Sequence, residues 1–234
     1  LAAIAMGQGN HRRAEQILRN CTTALILTSA VLTVFFLFFG RPLLLLFGAS
    51  TGTIGYAWHY LQIYVCGTVF VQIALGLNLF ITTQGFATKA MITVLIGAIL
   101  NTILDPVFIF VFGMGVQGAA AATVLSQAVS AIWVLHFLTG QKTTLKICVS
   151  QLRLHRDILL PVLALGLAPF IMLATESLLN ICFNSSLQRY GGDLAVGTMT
   201  ILSSISQLII LPLQGITQGA QPIISFNYGA GNKA

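Results

Sequence analysis

The chain has 234 residues, of which 56% are apolar and only 7% charged, with a formal net charge of +6 and a mean hydropathy of +0.91. A soluble domain carries about 25% charged residues and needs them to solvate its surface, so this composition excludes one. Lipid is the solvent for much of the chain, and its long apolar runs lack the strict alternation of barrel strands, so they read as membrane-spanning helices.

The pattern predicts an all-α membrane protein, a polytopic bundle of transmembrane helices. A first span covers roughly residues 20–47, interrupted by Gly40, Arg41 and Pro42. A second runs over 56–83, a third over 88–112 and a fourth over 116–140. The fifth, 157–187, carries Pro161 and Pro169, and the sixth, 194–226, carries Pro212. Each reaches the ~20 residues needed to cross a bilayer, with surplus for tilt.

The loops between these spans fall on two sides. One side holds Arg12, Arg13, Arg19, Lys89, Lys142, Lys146, Arg153, Arg156 and Lys233; the other holds only Arg41 and Arg189. The basic side faces the cytoplasm, so both chain ends are expected there, in a multi-pass protein of the plasma membrane. Basic residues placed this way set topology, and no nucleic acid partner is expected. Cys21, Cys66, Cys148 and Cys182 are scattered without CxxC spacing and read as small apolar residues rather than a disulfide or metal set. No signal peptide is visible, and a chain that starts at Leu1 and stops just after a span reads as a fragment of a longer protein.

A short echo links the two ends. LAAIAMGQGN (Leu1 to Asn10) and IISFNYGAGN (Ile223 to Asn232) share Gly7, Gly9 and Asn10 with Gly229, Gly231 and Asn232, at one offset of 222 residues. An even number of spans separates the copies, so both point the same way. That is the pattern of two parallel repeats of six helices related by an axis along the membrane normal. A recurring Gly-Asn helix end would also produce it.

Two acids lie inside spans, Asp105 and Glu176; Glu15, Asp157 and Asp193 lie in or beside loops. An ionised carboxylate at the bilayer centre costs roughly 2.5–3.5 kcal/mol, so such residues normally face a polar cavity on an ion or proton path. Asn101 precedes Asp105 by one helical turn, and Pro106 cannot donate to the carbonyl of Thr102. Asp105 lies nine residues before Met114 of the Gly113-Met114-Gly115 turn, and Thr123 lies nine after it. A rise of about 1.5 Å per residue puts both at one depth, about 13 Å below that turn. A carboxylate, an amide oxygen, a hydroxyl and a free carbonyl suit Na⁺, and the same carboxylate could carry a proton. The sequence leaves open whether Thr123 faces Asp105 or lipid, though Ala119 to Ala122 favour close helix approach. Glu176 begins a polar stripe with Asn180 and Asn184. Asn180 reads equally as a coupling residue or as interhelical glue, and Asn184 as glue.

No Lys or Arg lies inside a span. A cavity between these helices should therefore be apolar and aromatic with acidic points, fit for lipophilic cations and hostile to phosphates. Gln72, Asn78, Phe80, Tyr64 and Gln207 are possible lining residues, each more often packing or glue. HExxH, GxSxG and a buried His–acid pair are all absent, so an enzyme is not expected.

Four segments carry a family resemblance: MGQGN with its basic sequel (Met6 to Arg13); NTILDPVFIF (Asn101 to Phe110) with GVQGAAAATVLSQ (Gly115 to Gln127); APFIMLATESLLN (Ala168 to Asn180); and QGAQPIISFNYGAGN (Gln218 to Asn232). In this order and spacing the chain resembles the bacterial multidrug and toxic compound extrusion family over essentially its whole length. The resemblance implies a twelve-helix architecture of two six-helix lobes, open to one side at a time. On that template residues 1–140 are the amino-terminal lobe from the end of the second helix through the sixth. Residues 141–156 are a basic cytoplasmic inter-lobe loop, and 157–234 are the seventh and eighth helices. It implies that Asn101, Asp105 and Thr123 bind the coupling cation with an Asp from the first helix, and that Glu176 is the coupling acid of the other lobe, with Asn180 beside it. The implied function is a Na⁺- or H⁺-coupled antiporter exporting lipophilic cationic drugs, monomeric when full-length and without a cofactor. One departure stands out: many members carry an Arg three residues before the Gly that ends the fourth helix, and here Thr82 precedes Gly85. The alternatives are a lipid-linked oligosaccharide flippase, which should carry basic cavity residues, and a passive membrane scaffold, which has no reason to keep two buried acids.

Overall fold

Membrane-spanning backbone must satisfy its own hydrogen bonds, and the chain does so by forming helices. The computed structural model describes residues 1–47, 52, 54–141, 143–147 and 154–232. Lys142, Cys148, Arg153 and Lys233 lie outside the described residues, as do the side chains of Asn184 and Asp193. In chain order the helices are α1 (Ala2–Gly7), α2 (His11–Leu46), α3 (Ile54–Cys66), α4 (Thr68–Thr83), α5 (Ala87–Val111), α6 (Gly115–Thr139), α7 (Arg156–Leu187) and α8 (Gly197–Gly229). The last two belong to one helical run, Arg156–Gly229, broken at Gly192, whose φ of 61° and ψ of −164° no helix contains. Among the described residues five helices are long and apolar enough to cross a membrane, and α3 with α4 passes the same test as one bent pair.

Two boundaries differ from the sequence expectation. Arg12, Arg13 and Arg19 are not in a loop: α2 starts at His11 and carries them in its first turns. Asn10 explains this, because its side chain accepts from the Arg13 N–H at 3.0 Å, and Glu15 pairs with Arg19 at 3.5 Å one turn on. The second span is not straight, since α3 and α4 meet at Gly67 with a bend of 55°. A side chain at Gly67 would collide with Val124 of α6, so the missing Cβ lets the bend sit on its neighbour.

Two helices also loosen within the bundle. α4 contains a π turn at Gln72–Gly76, and α5 ends in another at Val107–Val111. The second follows Pro106, whose ring nitrogen has no proton to give the preceding turn. Gly113 (φ 63°) and Gly115 (φ 55°) then reverse the chain into α6.

α6 is the central helix, packed on α3, α4 and α5. The tightest core lies at the basic end of the bundle, where Leu18, Leu77, Ile81, Val134 and Leu138 are fully buried. Thr143 to Ile147, within the expected inter-lobe loop, forms a non-helical strap across this end, bent at Thr144 and Leu145. Its residues alternate inward and outward, and Leu145 is fully buried beside Ile147. The Gln84 side-chain oxygen, at the end of α4, accepts from the Leu145 N–H (3.0 Å), the Thr144 N–H (2.9 Å) and the Thr143 hydroxyl (2.7 Å). The Ile147 N–H donates to the Leu138 carbonyl in the last turn of α6, and the His155 N–H to Asn20 of α2. By contrast, α7 and α8 bury none of their most apolar stretches within the chain.

Candidate functional site

The α5–α6 hairpin decides the geometry of the site. Asn101 and Asp105 share a face of α5 because they are one turn apart, and the Gly113–Gly115 reversal returns α6 with Thr123 at their level. The Asn101 Nδ2 group donates to Asp105 Oδ1 at 3.1 Å and to Thr123 Oγ1 at 3.3 Å. Thr123 thus faces the cluster, and its own hydroxyl proton goes to the Ala119 carbonyl at 2.9 Å. All three side chains are half-buried. Asn101 is the bridge: no direct hydrogen bond joins Asp105 to Thr123 among the described residues.

Asn101 and Thr123 open onto a cavity of about 200 Å³, whose polar wall continues through Thr93, Ser126, Gln127 and Ser130. Its far side includes Leu75, from the π turn of α4. Asp105 stands one turn beyond the cavity, reached through Asn101. The Ser126 hydroxyl is held by the Ala122 carbonyl and that of Ser130 by the Thr93 carbonyl across the α5–α6 interface. This wall adds residues to those expected from the sequence. Its signal is Thr123, Ser126, Gln127 and Ser130, spaced as one face of α6.

Glu176 and Asn180 are not drawn into this cluster. Both are exposed on α7, and neither side chain makes a hydrogen bond among the described residues. Of the possible lining residues, Asn78 ties α4 to α5 through the Ala90 carbonyl (3.1 Å), and Tyr64 stacks on Tyr60. Phe80 does line a second cavity, of about 440 Å³, between α1, α2 and α4 on one side and α7 and α8 on the other. Gln218, Gln221 and Ser225 of α8, with Thr83 of α4, supply polar side chains. No charged side chain lines it among the described residues, so the acidic points expected there are displaced to the α5–α6 cluster.

Comparison with known proteins follows the same lines. The MatE family model matches residues 1–107 and 169–234. The multidrug export protein MepA of Staphylococcus saprophyticus is 27% identical over 183 residues, covering 78% of this chain and 40% of that protein. MepA of Staphylococcus aureus is 25% identical over 192 residues, covering 82% of this chain and 42% of its own length. The chain therefore spans about two fifths of the length of these curated relatives. Among solved structures, a MATE crystallised with MaD3S superposes with a TM-score of 0.89 at 25% identity, over 99% of this chain and 52% of that one. A MOP superfamily transporter from Pyrococcus furiosus, described as having a binding pocket of reverse polarity, gives 0.90 at 25% identity, over 99% of this chain and 51% of its own. With a family model covering most of its residues and a helical fold that overlays half of a solved member, this chain belongs to the MatE family.

Proposed function

We propose that this chain is part of an antiporter that exports lipophilic organic cations across the plasma membrane in exchange for Na⁺ or H⁺. The observation that carries the reading is the Asn101 amide spanning Asp105 and Thr123 across the α5–α6 hairpin. In this arrangement the amide protons occupy the place a coupling cation would take. Turning the Asn101 amide by half a turn about its last torsion presents its oxygen instead, so one carboxylate, one amide oxygen and one hydroxyl converge on a small hard cation. Protonating Asp105 would make it a donor and likewise break the existing pattern. Either event gives the two arrangements that a coupling ion needs in order to bias a conformational equilibrium. The 440 Å³ cavity, lined by no basic side chain among the described residues, suits an apolar cargo better than a pyrophosphate, which speaks against a lipid-linked oligosaccharide.

In this reading residues 1–140 belong to one lobe, 141–156 connect the lobes, and 157–234 open the other, with both ends of the chain cytoplasmic and the protein working as a monomer. Glu176 and Asn180 serve the second lobe. The test is Asp105→Asn in proteoliposomes under an imposed Na⁺ or proton gradient. Ion-driven drug efflux should be lost while folded protein remains in the membrane. Efflux at the unsubstituted rate would remove Asp105 from the mechanism.

A further inference from the structure

We infer that Gly7 and Gly229 form a latch that shuts the basic end of the molecule beneath the cavity between its two halves. The inference rests on the transport reading above and names the contact that must part for that side to open.

The two chain segments that echo each other in sequence are also alike in backbone. The Gly9 N–H donates to the Met6 carbonyl and the Gly231 N–H to that of Tyr228; the Asn10 N–H donates to Ala5 and the Asn232 N–H to Asn227; the Gln8 N–H donates to Ile4 and the Ala230 N–H to Phe226. Each pair is related by the same offset of 222. Gly9 and Gly231 both take the left-handed conformation, with φ of 74° and 78°.

These two matching ends lie against each other. A Cβ added to Gly7 would run into the Phe226 carbonyl oxygen and come within 2.9 Å of the Ala230 nitrogen; one added to Gly229 would run into the Ile4 carbonyl oxygen and come within 2.9 Å of the Ile4 carbon atoms. Ile4 and Phe226 are themselves a pair at that offset. The contact therefore maps onto itself when the two segments are exchanged, as in a two-fold interface. Elsewhere on α8 the matching test finds open space: a Cβ at Gly215 or Gly219 would meet nothing within 4 Å.

Position gives the contact its role. Leu1, Ala2 and Ala3 of the first segment, and Ser225 of the second with Gln218 and Gln221 just before it, line the 440 Å³ cavity, and the glycines lie just past them toward the basic end. The crossing is the floor of that cavity. At both glycines the nearest atoms across the crossing are backbone atoms. No hydrogen bond or ion pair joins the two segments among the described residues. Short-range packing holds this floor, and it is lost steeply as the surfaces separate. Such a barrier excludes cargo when shut and is easily parted.

The test replaces the native cysteines and introduces Gln8→Cys with Ala230→Cys, both exposed beside the crossing. A reducible bis-methanethiosulfonate should join them, as read by mass spectrometry of the linked peptide. The joined protein should lose drug efflux and recover it on reduction. Failure to cross-link under any gradient, or undiminished efflux while joined, overturns the latch. Gly7→Ala and Gly229→Ala should each slow cross-linking, with the double variant no slower than either single one, because both act on one contact. Gly215→Ala should cross-link at the unsubstituted rate. Additive effects, or an equal effect at Gly215, overturn the inference. Cross-linking is read without any drug, so an untreated protein that shows no ion-driven efflux sinks the exporter reading while the glycine series still decides the contact.

Discussion

Gln84→Met should release the strap at the basic end of the bundle. The methionine keeps the length and most of the volume of the side chain and removes its oxygen. In the native protein that oxygen takes the N–H groups of Thr144 and Leu145 and the Thr143 hydroxyl. Thr144 is exposed, so water replaces its lost acceptor, and the Thr143 hydroxyl can turn to the Leu145 carbonyl at 3.0 Å. The Leu145 N–H has no such recourse, because its residue is fully buried. One buried donor without an acceptor costs about 1–3 kcal/mol. That raises the undocked population roughly 5- to 150-fold. Trypsin can cut after Lys146 only when the strap leaves its groove, and cleavage follows the open population when reclosing is fast. The assay is limited proteolysis in detergent, with the product ending at Lys146 quantified by mass spectrometry. Cleavage within about twofold of the unsubstituted protein would refute the view that Gln84 holds the strap.

The cation cluster gives a graded expectation. Asn101→Leu removes both bridging hydrogen bonds and should weaken Na⁺ or proton uptake more than Thr123→Val, which removes one; equal losses by titration calorimetry would deny Asn101 its bridging role. At the bend between α3 and α4, Gly67→Val forces a branched side chain into Val124 and should cost about 1–3 kcal/mol, seen as a lower thermal midpoint. A midpoint no lower than that of the unsubstituted protein would mean the helices separate freely there.

The spans were legible because lipid imposes a simple rule, a long apolar run, that each of them obeys. The cation cluster was half legible. The one-turn spacing of Asn101 and Asp105 and the symmetric distances to Met114 put three polar groups at one depth, yet which way Thr123 points depends on how α6 rotates against α5. That rotation is set by side-chain packing across the hairpin, as at Gly97 against Ser130, and periodicity cannot express it. The strap was illegible for a related reason. Thr143 to Ile147 is short and flanked by Lys142, so it reads as loop, and its burial is created by a distant partner, Gln84. The start of α2 is hidden in the sequence because charge ends the apolar run, whereas Asn10 caps a helix that carries its charges beyond it. Glu176, read as a coupling acid, and Asn180, read equally as a coupling residue or as glue, lie exposed on α7, where no described residue pairs with either side chain.

The π turn at Val107–Val111 has a consequence for how this hairpin tolerates change. Such a turn holds one residue more than the α-helical path over the same stretch needs. Deleting one residue there would let the helix tighten into the α form with little change of path on either side. Asn101 and Asp105, upstream, would stay put, and the reversal and Thr123 would keep their aim, whereas a deletion from the regular α-helical part of α5 would swing everything after it by about 100° around the axis. The spare residue works as slack between the two arms of the hairpin, and it starts two residues from the carboxylate.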